Sequence, residues 1–271
     1  MSLLNPNTNE PSVDPYKLQR LYWPFLALAG GCAEVVGSVA GSFDRDGQHY
    51  SILRFVFHGP ATSTPPIRLG LFALLHGDEP AGALGLQRLL TALVNNPAPA
   101  RGYELTLYPV CNPTGYEDGT RHNRNGYDLN REFWRDSRQP EIGILEKELR
   151  ERQFDGIIAL HADDTNSGLY GYTQGRLLNE NLLIPALRAS EHVLPVNREE
   201  MIDGFPAEEG IVEDCFEGIL APPPEQRPRP FEIIFETPAA VPMTQQVEAM
   251  GCALHSVLTE YRQFIAQGTN L

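Results

Sequence analysis

Apolar runs of strand length alternate with amphipathic stretches of helix length along most of the chain. Residues 67–77 form a continuous apolar run that ends in Gly, which is typical of a strand buried on both faces. Residues 80–96 follow with helical spacing and have Pro80 in the first turn. The same strand-then-helix order recurs at 103–112 and 141–153, at 154–163 and 176–194 (where we expect an interruption at Pro185), and at 231–239 and 245–267.

A helix and a hairpin precede this alternation. Residues 16–29 show helical periodicity, and the apolar stretches 33–43 and 49–59 flank the turn-forming sequence DRDG. Strands that alternate with helices predict an α/β fold, with a mixed, largely parallel central sheet and helices on both faces. We expect one domain over residues 1–271, with residues 1–15 poorly ordered.

Composition narrows the classes of function. The formal net charge of −14 argues against a nucleic-acid partner, because a phosphate backbone is bound through clustered Lys and Arg. The N-terminus shows no signal peptide, and no apolar run is long enough to cross a membrane. The four cysteines form no CxxC pair and are interpreted as reduced thiols, so we expect a cytoplasmic protein that does not bind membranes.

Polar side chains follow four of the predicted strands. His76, Asn112, His161 and Glu236 each stand at or just past a strand end. Because the ligand site of such sheets lies beyond the carboxyl ends of the strands, we expect these groups to converge at one edge.

His76 and Glu79 are three residues apart on a predicted strand-to-helix loop, a spacing that lets both side chains reach one ion. Gly77 leaves room for the turn. His161, which ends another apolar strand, is the best candidate for a third ligand, and two histidines with a glutamate are an established catalytic zinc set. A loop histidine beside a helix-capping glutamate is the ordinary alternative for this pair. The pattern therefore predicts one zinc ion per chain.

Residues 112–134 are unusually rich in Arg and Asn for so acidic a chain. A solvated loop would explain such a segment, but guanidinium groups also suit carboxylate binding and oxyanion stabilisation. Asp128 in this segment could orient a metal-bound histidine through a hydrogen bond.

The ordered motifs HGDE at 76–79, NP at 112–113, RHN and GYDLNR within 121–131, ALH at 159–161 and FET at 235–237 resemble those of the zinc carboxypeptidases. The short spacing between RHN and DLNR is similar to that of the bacterial murein-peptide amidases of this family. The resemblance implies a zinc carboxypeptidase-like fold and a metallopeptidase that cleaves a small peptide.

The resemblance also implies a role for each matching residue. His76, Glu79 and His161 would bind zinc, and Glu236 would be the general base that activates the attacking water. Arg121 would stabilise the oxyanion, while Asn130 and Arg131 would hold the terminal carboxylate of the substrate. Glu236 is preferred to Glu232 because it stands at the carboxyl end of its strand.

The chain departs from the family in two places. The digestive members of the zinc carboxypeptidase family carry a substrate-contacting tyrosine roughly one strand before the general base. In this chain no Tyr occurs between Tyr172 and Glu236, so that role is empty or filled differently. Asp163 and Asp164 follow His161, where the relatives usually carry Ser and small residues. These acids could bind a substrate amine or a second cation, and a turn cap is the simpler explanation.

Two other functions stay open. Aspartoacylase and succinylglutamate desuccinylase, which deacylate N-acyl amino acids, share the fold, the HxxE pair, a DLNR segment and the distant His. The RHN-to-DLNR spacing and the NP motif favour the peptidase branch.

A non-catalytic zinc- or peptide-binding protein is less favoured because both Glu236 and Arg121 are present. A Ser or Cys nucleophile finds no support, since the chain has no GxSxG motif.

Overall fold

The computed structural model describes residue 14 and residues 16–268, and a ten-stranded sheet forms its centre. The strands are β1 Val35–Arg45, β2 Gln48–His58, β3 Ile67–Ala73, β4 Tyr103–Tyr108, β5 Gly156–Asp163, β6 Tyr170–Tyr172, β7 Met201–Ile202, β8 Phe205–Glu208, β9 Ile211–Val212 and β10 Phe231–Pro238. The helices are α1 Lys17–Gly31, α2 Ala81–Asn95, α3 Pro113–Asp118, α4 Pro140–Arg152, α5 Arg176–Leu178, α6 Ile184–Ser190 and α7 Met243–Gly268. Residues 1–15, which we predict to be poorly ordered, lie outside the described residues except for residue 14.

The strand order is β1-β2-β4-β3-β5-β10-β6-β9-β8-β7. The central strands β4, β3, β5 and β10 are parallel to one another, whereas β1 and β2 form the predicted antiparallel hairpin on one side. On the other side β6 runs antiparallel to β10 and connects to the short strands β7 to β9. The predicted α/β fold with a mixed central sheet is therefore confirmed.

Both faces of the central strands are buried because their side chains alternate between two apolar cores. Leu69 and Leu71 of β3 pack in a core with α1, α2 and α7, whereas Phe72 points into a second core with α4. There the ring of Phe72 stacks on Tyr108, with the centroids 4.6 Å apart. This two-sided burial explains why these strands are continuous apolar runs in the sequence.

The structure adjusts two predicted boundaries. The strand expected to extend to residue 77 ends at Ala73, so His76 lies on the loop before α2. The helix expected over residues 176–194 contains a π-helical turn, Asn179–Leu183, just before Pro185. Proline cannot donate the usual backbone hydrogen bond, and the wider turn accommodates it without ending the helix.

Candidate active site

The side chains of His76, Glu79 and His161 meet at the carboxyl ends of β3 and β5. The Nδ1 atom of His76 lies 2.7 Å from Oε1 of Glu79, and Nδ1 of His161 lies 2.8 Å from Oε2 of the same carboxylate. All three residues are buried, and one potential ligand atom from each lies within 4.8 Å of the other two. The structure thus brings together the three side chains that the sequence analysis assigned to a metal.

The donor set fits a divalent metal ion. The Nδ1 atoms of the two imidazoles are only 3.2 Å apart, and a carboxylate oxygen lies beside each. Such convergence of two imidazoles and a carboxylate in a buried place is the arrangement that catalytic zinc sites use. Among residue 14 and residues 16–268, this is the one group of His, Cys, Asp and Glu side chains close enough to hold a metal.

The loop that carries His76 packs tightly against α3. A Cβ atom at Gly77 would lie 2.0 Å from the backbone carbon of Gly115, so no other residue fits without displacing the loop. Asn112 caps α3 by accepting a hydrogen bond from the Gly115 N–H at 2.9 Å. Its amide also donates to the carbonyl of Arg121 at 3.4 Å. Asn112 therefore holds neighbouring loops in place and does not line the cavity.

Asp128 connects the histidine cluster to Arg121. One carboxylate oxygen of Asp128 lies 3.1 Å from Nε2 of His76, and the other accepts a hydrogen bond from Nε of Arg121 at 3.1 Å. Burial raises the pKa of Asp128, but the bond to His76 and the charge of Arg121 outweigh this effect and leave the pKa below its ordinary value. An ionised Asp128 can orient His76, as the sequence predicts. Arg121 also lies 3.5 Å from Glu79, so it stands beside the cluster.

Glu236 lies opposite His161 in the parallel pairing of β10 with β5. It is half-buried and lines a cavity of about 440 Å³ together with His76, Glu79 and Arg121. Burial and the nearby carboxylates of Glu79, Asp163 and Asp203 raise its pKa well above the ordinary value. Glu232 stands at the other end of the same strand, where it accepts a hydrogen bond from Arg229 at 2.5 Å.

Asn130 and Arg131 also line the cavity. The side-chain oxygen of Asn130 accepts a hydrogen bond from the backbone N–H of Leu220 at 2.9 Å, which anchors the opposite loop. The guanidinium of Arg131 stacks on the ring of Phe216 at 4.2 Å and donates to the carbonyl of Asn130 at 2.7 Å. Stacking holds the planar guanidinium at the cavity wall, where a carboxylate could approach it.

Asp163 and Asp164 line the cavity in different ways. The carboxylate of Asp163 accepts hydrogen bonds from the Thr165 N–H at 2.8 Å, from the Asn166 amide at 2.5 Å and from the Tyr170 hydroxyl at 2.7 Å. Asp163 thus orders its own loop, in agreement with the simpler explanation of a turn cap. Asp164 is exposed at the cavity mouth.

Tyr170, Tyr172 and Asp203 line the cavity and were not predicted. Tyr170 lies opposite Glu236 in the pairing of β6 with β10. The hydroxyl of Tyr172 donates to Asp203 at 2.5 Å, and that of Tyr170 lies 3.2 Å from the same carboxylate. The Tyr-Gly-Tyr alternation is a signal that both rings share one face. Asp203 precedes a glycine between two short strands, and such an Asp-Gly pair is typical of a hairpin turn.

Charge in the cavity is strongly unbalanced. Five carboxylates of the lining, those of Asp78, Asp163, Asp164, Asp203 and Glu236, form no ion pair with any Lys or Arg of the described residues. The lining contains two cationic side chains, Arg121 and Arg131. The cavity is therefore acidic on the side of β6 and basic on the side of Arg131.

Comparisons with known proteins identify the fold and match part of the chain to a family model. Residues 66–189 match the model of the succinylglutamate desuccinylase/aspartoacylase catalytic domain. A candidate metallopeptidase from Shewanella amazonensis is similar with a TM-score of 0.76 and 21% identity, over 89% of this chain and 92% of that one. A metallo-carboxypeptidase from Burkholderia cenocepacia aligns with a TM-score of 0.71 and 14% identity, over 91% of this chain and 69% of that one.

A murein-tripeptide amidase from Escherichia coli O157 is also similar, with a TM-score of 0.51 and 18% identity, over 82% of this chain and 91% of that one. A comparison with curated proteins gives no match. No helix of the described residues is both long and apolar enough to cross a membrane. The resemblance indicated by the motifs is confirmed: the chain has the fold of the zinc carboxypeptidase-like metallopeptidases, and its residues 66–189 match the desuccinylase/aspartoacylase catalytic domain.

Proposed function

We propose that this protein is a zinc-dependent hydrolase of the carboxypeptidase type, which cleaves an amide bond next to the free carboxylate of a small peptide. The observation that supports this most strongly is the single cavity that joins the His76, Glu79 and His161 cluster to Glu236, Arg121 and Arg131. Its volume of about 440 Å³ suits a small ligand and not a folded protein.

The cluster of His76, Glu79 and His161 would hold one zinc ion. When bound, zinc supplies a Lewis acid that lowers the pKa of water to about 7. Asp128 orients His76 through the hydrogen bond to its Nε2 atom.

Glu236 accepts a proton from the attacking water and later donates it to the leaving amine. Its raised pKa suits this role, because a carboxylate with a higher pKa takes up a proton more readily, although a bound dication would oppose the shift. Arg121 is 42% exposed and turns its guanidinium toward the cluster, so it can donate hydrogen bonds to the oxygen that becomes negatively charged.

Arg131 and Asn130 hold the terminal carboxylate of the substrate. A planar guanidinium can donate two parallel hydrogen bonds to a carboxylate, and the Arg131 group, stacked on Phe216, keeps donors at its edge besides the Nη1 bond to the Asn130 carbonyl. Asp164 and Asp203, across the cavity, favour a substrate with an amine, such as a peptide that ends in a diamino acid.

Deacylation of an N-acyl amino acid is a second candidate, and the family match over residues 66–189 favours it. Both reactions hydrolyse an amide whose leaving amine carries a carboxylate, so Arg121, Arg131 and Glu236 would have the same roles. The acyl side of the substrate distinguishes the two. The unpaired carboxylates of the cavity disfavour an acidic acyl group such as succinyl, which supports the peptidase assignment.

The experiment is a comparison of zinc-loaded protein on a panel of dipeptides and a panel of N-acyl amino acids, with Glu236→Gln as the catalytic control. We expect turnover of dipeptides with a free carboxylate and little turnover of the same peptides amidated. Turnover confined to N-acyl amino acids would assign the protein to the deacylases instead. No turnover of any compound by the wild type would refute both hydrolase assignments, and equal rates for wild type and Glu236→Gln would remove the role given to Glu236.

A further inference from the structure

Strand β1 forms one edge of the ten-stranded sheet. It pairs with β2 along one side, and among the described residues no strand pairs with its other side. An edge of eleven residues is long for a globular protein, and its free N–H and C=O groups can pair with another strand.

The hydrogen bonds of the hairpin show which backbone groups face outward. His58 N–H donates to the carbonyl of Glu34 at 2.9 Å, so Glu34 faces β2, whereas Val35 N–H donates away from β2 to the Cys32 carbonyl at 3.2 Å. The backbone N–H and C=O groups of successive residues point alternately to the two sides of an antiparallel strand. Those of Gly37 therefore face outward, as those of Val35 do.

A bulge between Val39 and Gly41 reverses this alternation. The carbonyl of Ser51 accepts a hydrogen bond from the Tyr22 hydroxyl at 3.4 Å and thus faces away from β1. Its partner in the hairpin is Ser42, which therefore turns its backbone groups to the open edge, as Asp44 does two residues later.

The edge also lacks the usual protection against pairing. Residues 35–43 (VVGSVAGSF) contain no charged residue and no proline, although the chain has a net charge of −14. Val36 and Val39 are 49% and 53% exposed. Helix α1 packs against β1 and adds two further exposed apolar side chains, Trp23 at 68% and Leu26 at 46%. Exposed aromatic and aliphatic groups in one region are typical of a protein–protein interface.

We propose that a second copy of this chain pairs antiparallel with β1 and joins the two sheets across a two-fold axis. Outward-facing residues must meet, and among the registers that satisfy this rule the proposed one pairs Gly37 of one copy with Ser42 of the other, because it also brings together side chains of opposite charge. In this register Glu34 of one copy lies opposite Arg45 of the other, and the contact occurs twice. The edge is thus complementary in charge to its own copy, as a two-fold interface requires.

This interface does not depend on the proposed function. The cavity lies around β5, β10 and β6, and β2, β4 and β3 separate these strands from β1. Loss of the dimer should therefore leave the hydrolase activity unchanged, and loss of the hydrolase activity should leave the dimer unchanged.

The test is the mass in solution by size-exclusion chromatography with light scattering over a range of concentrations. We expect twice the chain mass of 30.1 kDa for the wild type and 30.1 kDa for Val36→Lys/Val39→Lys. Met201→Lys is the control, because Met201 is 52% exposed on β7 at the opposite end of the sheet, and it should remain dimeric.

A charge swap tests the register even if the double lysine variant folds poorly. Arg45→Glu alone should weaken the dimer, because it places like charges opposite each other, and Glu34→Arg/Arg45→Glu should restore it. A wild-type protein that is monomeric at every concentration would overturn the proposal. A dimer that is equally stable in Val36→Lys/Val39→Lys would overturn it as well, and failure of the charge swap to restore pairing would exclude this register.

Discussion

Glu236 and His161 lie directly opposite each other on the parallel strands β10 and β5. In a parallel sheet, paired residues project from the same face, so backbone pairing alone places the candidate base and a candidate metal ligand on the same side of the sheet. Glu79 reaches His161 from the loop before α2, with an oxygen–nitrogen distance of 2.8 Å. The sheet therefore fixes the distance between the candidate base and His161 more rigidly than a loop could.

The pairing predicts different consequences for the two glutamates of β10. Glu236→Gln should keep the metal and the fold but lower kcat by about 10²–10⁴-fold, since it removes the group that accepts a proton. Glu232→Gln keeps an acceptor for Arg229 but removes the charge of this ion pair at the distant strand end, and should leave kcat near the wild-type value. Steady-state kinetics together with the zinc content of both proteins makes the comparison. A larger loss of kcat in Glu232→Gln would contradict the assigned roles.

The central strands and the metal cluster could be predicted because each depends on a local pattern. Apolar runs identify β3, β5 and β10, and the strand ends then place His76, His161 and Glu236 at one edge. The wall of the cavity could not be found in this way. Tyr170 lies on a strand of three residues and Asp203 on the turn between two short strands, all too short to show periodicity, and only the fold brings their side chains together.

Asn112 and Asp163 show a second limit of predicting side-chain roles from the sequence. Both stand at strand ends beside the candidate ligands, and the pattern cannot distinguish a residue that faces the cavity from one that supports it. In the structure Asn112 caps α3 and does not line the cavity, whereas Asp163 both lines the cavity and orders the following turn. Hydrogen bonds to neighbouring backbone groups, which the sequence does not specify, decide between these functions.

Zinc should depend on the histidine cluster. Protein purified without added metal should contain close to one equivalent of zinc by elemental analysis, and His76→Ala/His161→Ala should contain almost none, because it leaves Glu79 as the one remaining ligand of the three. His255→Ala serves as the control, since His255 is exposed on α7 and lies outside the cluster. An unchanged zinc content in the double variant would rule out this site.

The acidic side of the cavity should select the charge of the substrate. Peptides that end in lysine or diaminopimelate should be cleaved with a higher kcat/KM than those that end in phenylalanine. Asp164→Asn and Asp203→Asn should reduce this preference, with the greater general loss in Asp203→Asn, because Asp203 also holds the hydroxyl of Tyr172. Asp214→Asn is a control outside the cavity lining. Equal kcat/KM for all these peptides in the wild type would exclude selection by charge.

Stability should depend on pH through Glu141, a buried carboxyl on α4 that accepts a hydrogen bond from Asn123 at 3.4 Å. Burial raises the pKa of Glu141 in the folded state. The folded protein therefore binds this proton more tightly than the unfolded chain, and the free energy of unfolding falls as pH rises through the folded-state pKa. Glu141→Gln keeps the acceptor for Asn123 and should have a higher Tm at neutral pH.

The advantage of Glu141→Gln should shrink as pH falls below the ordinary carboxyl pKa of about 4.3, where the wild-type side chain is also neutral in both states. Thermal unfolding of both proteins at several pH values measures this difference. A Tm difference that is the same at every pH would show that the charge of Glu141 does not contribute.

Gly77 tests how closely the metal loop must pack. Gly77→Ala places a Cβ atom 2.0 Å from the backbone carbon of Gly115, and backbone on both sides leaves no flexible side chain to move away. We expect a loss of stability of about 1–3 kcal/mol. Zinc affinity should fall at the same time, because His76 is the preceding residue and must shift with the loop.

Gly143→Ala is the matched control: nothing lies within 4 Å of the added atom, and alanine in the interior of α4 should stabilise the protein by roughly 0.5–1 kcal/mol. Chemical denaturation and zinc titration of the two variants would separate a packing effect from a general effect of the extra methyl group. If Gly77→Ala kept both the stability and the zinc affinity of the wild type, the loop could not be as tightly constrained as its contacts with α3 indicate.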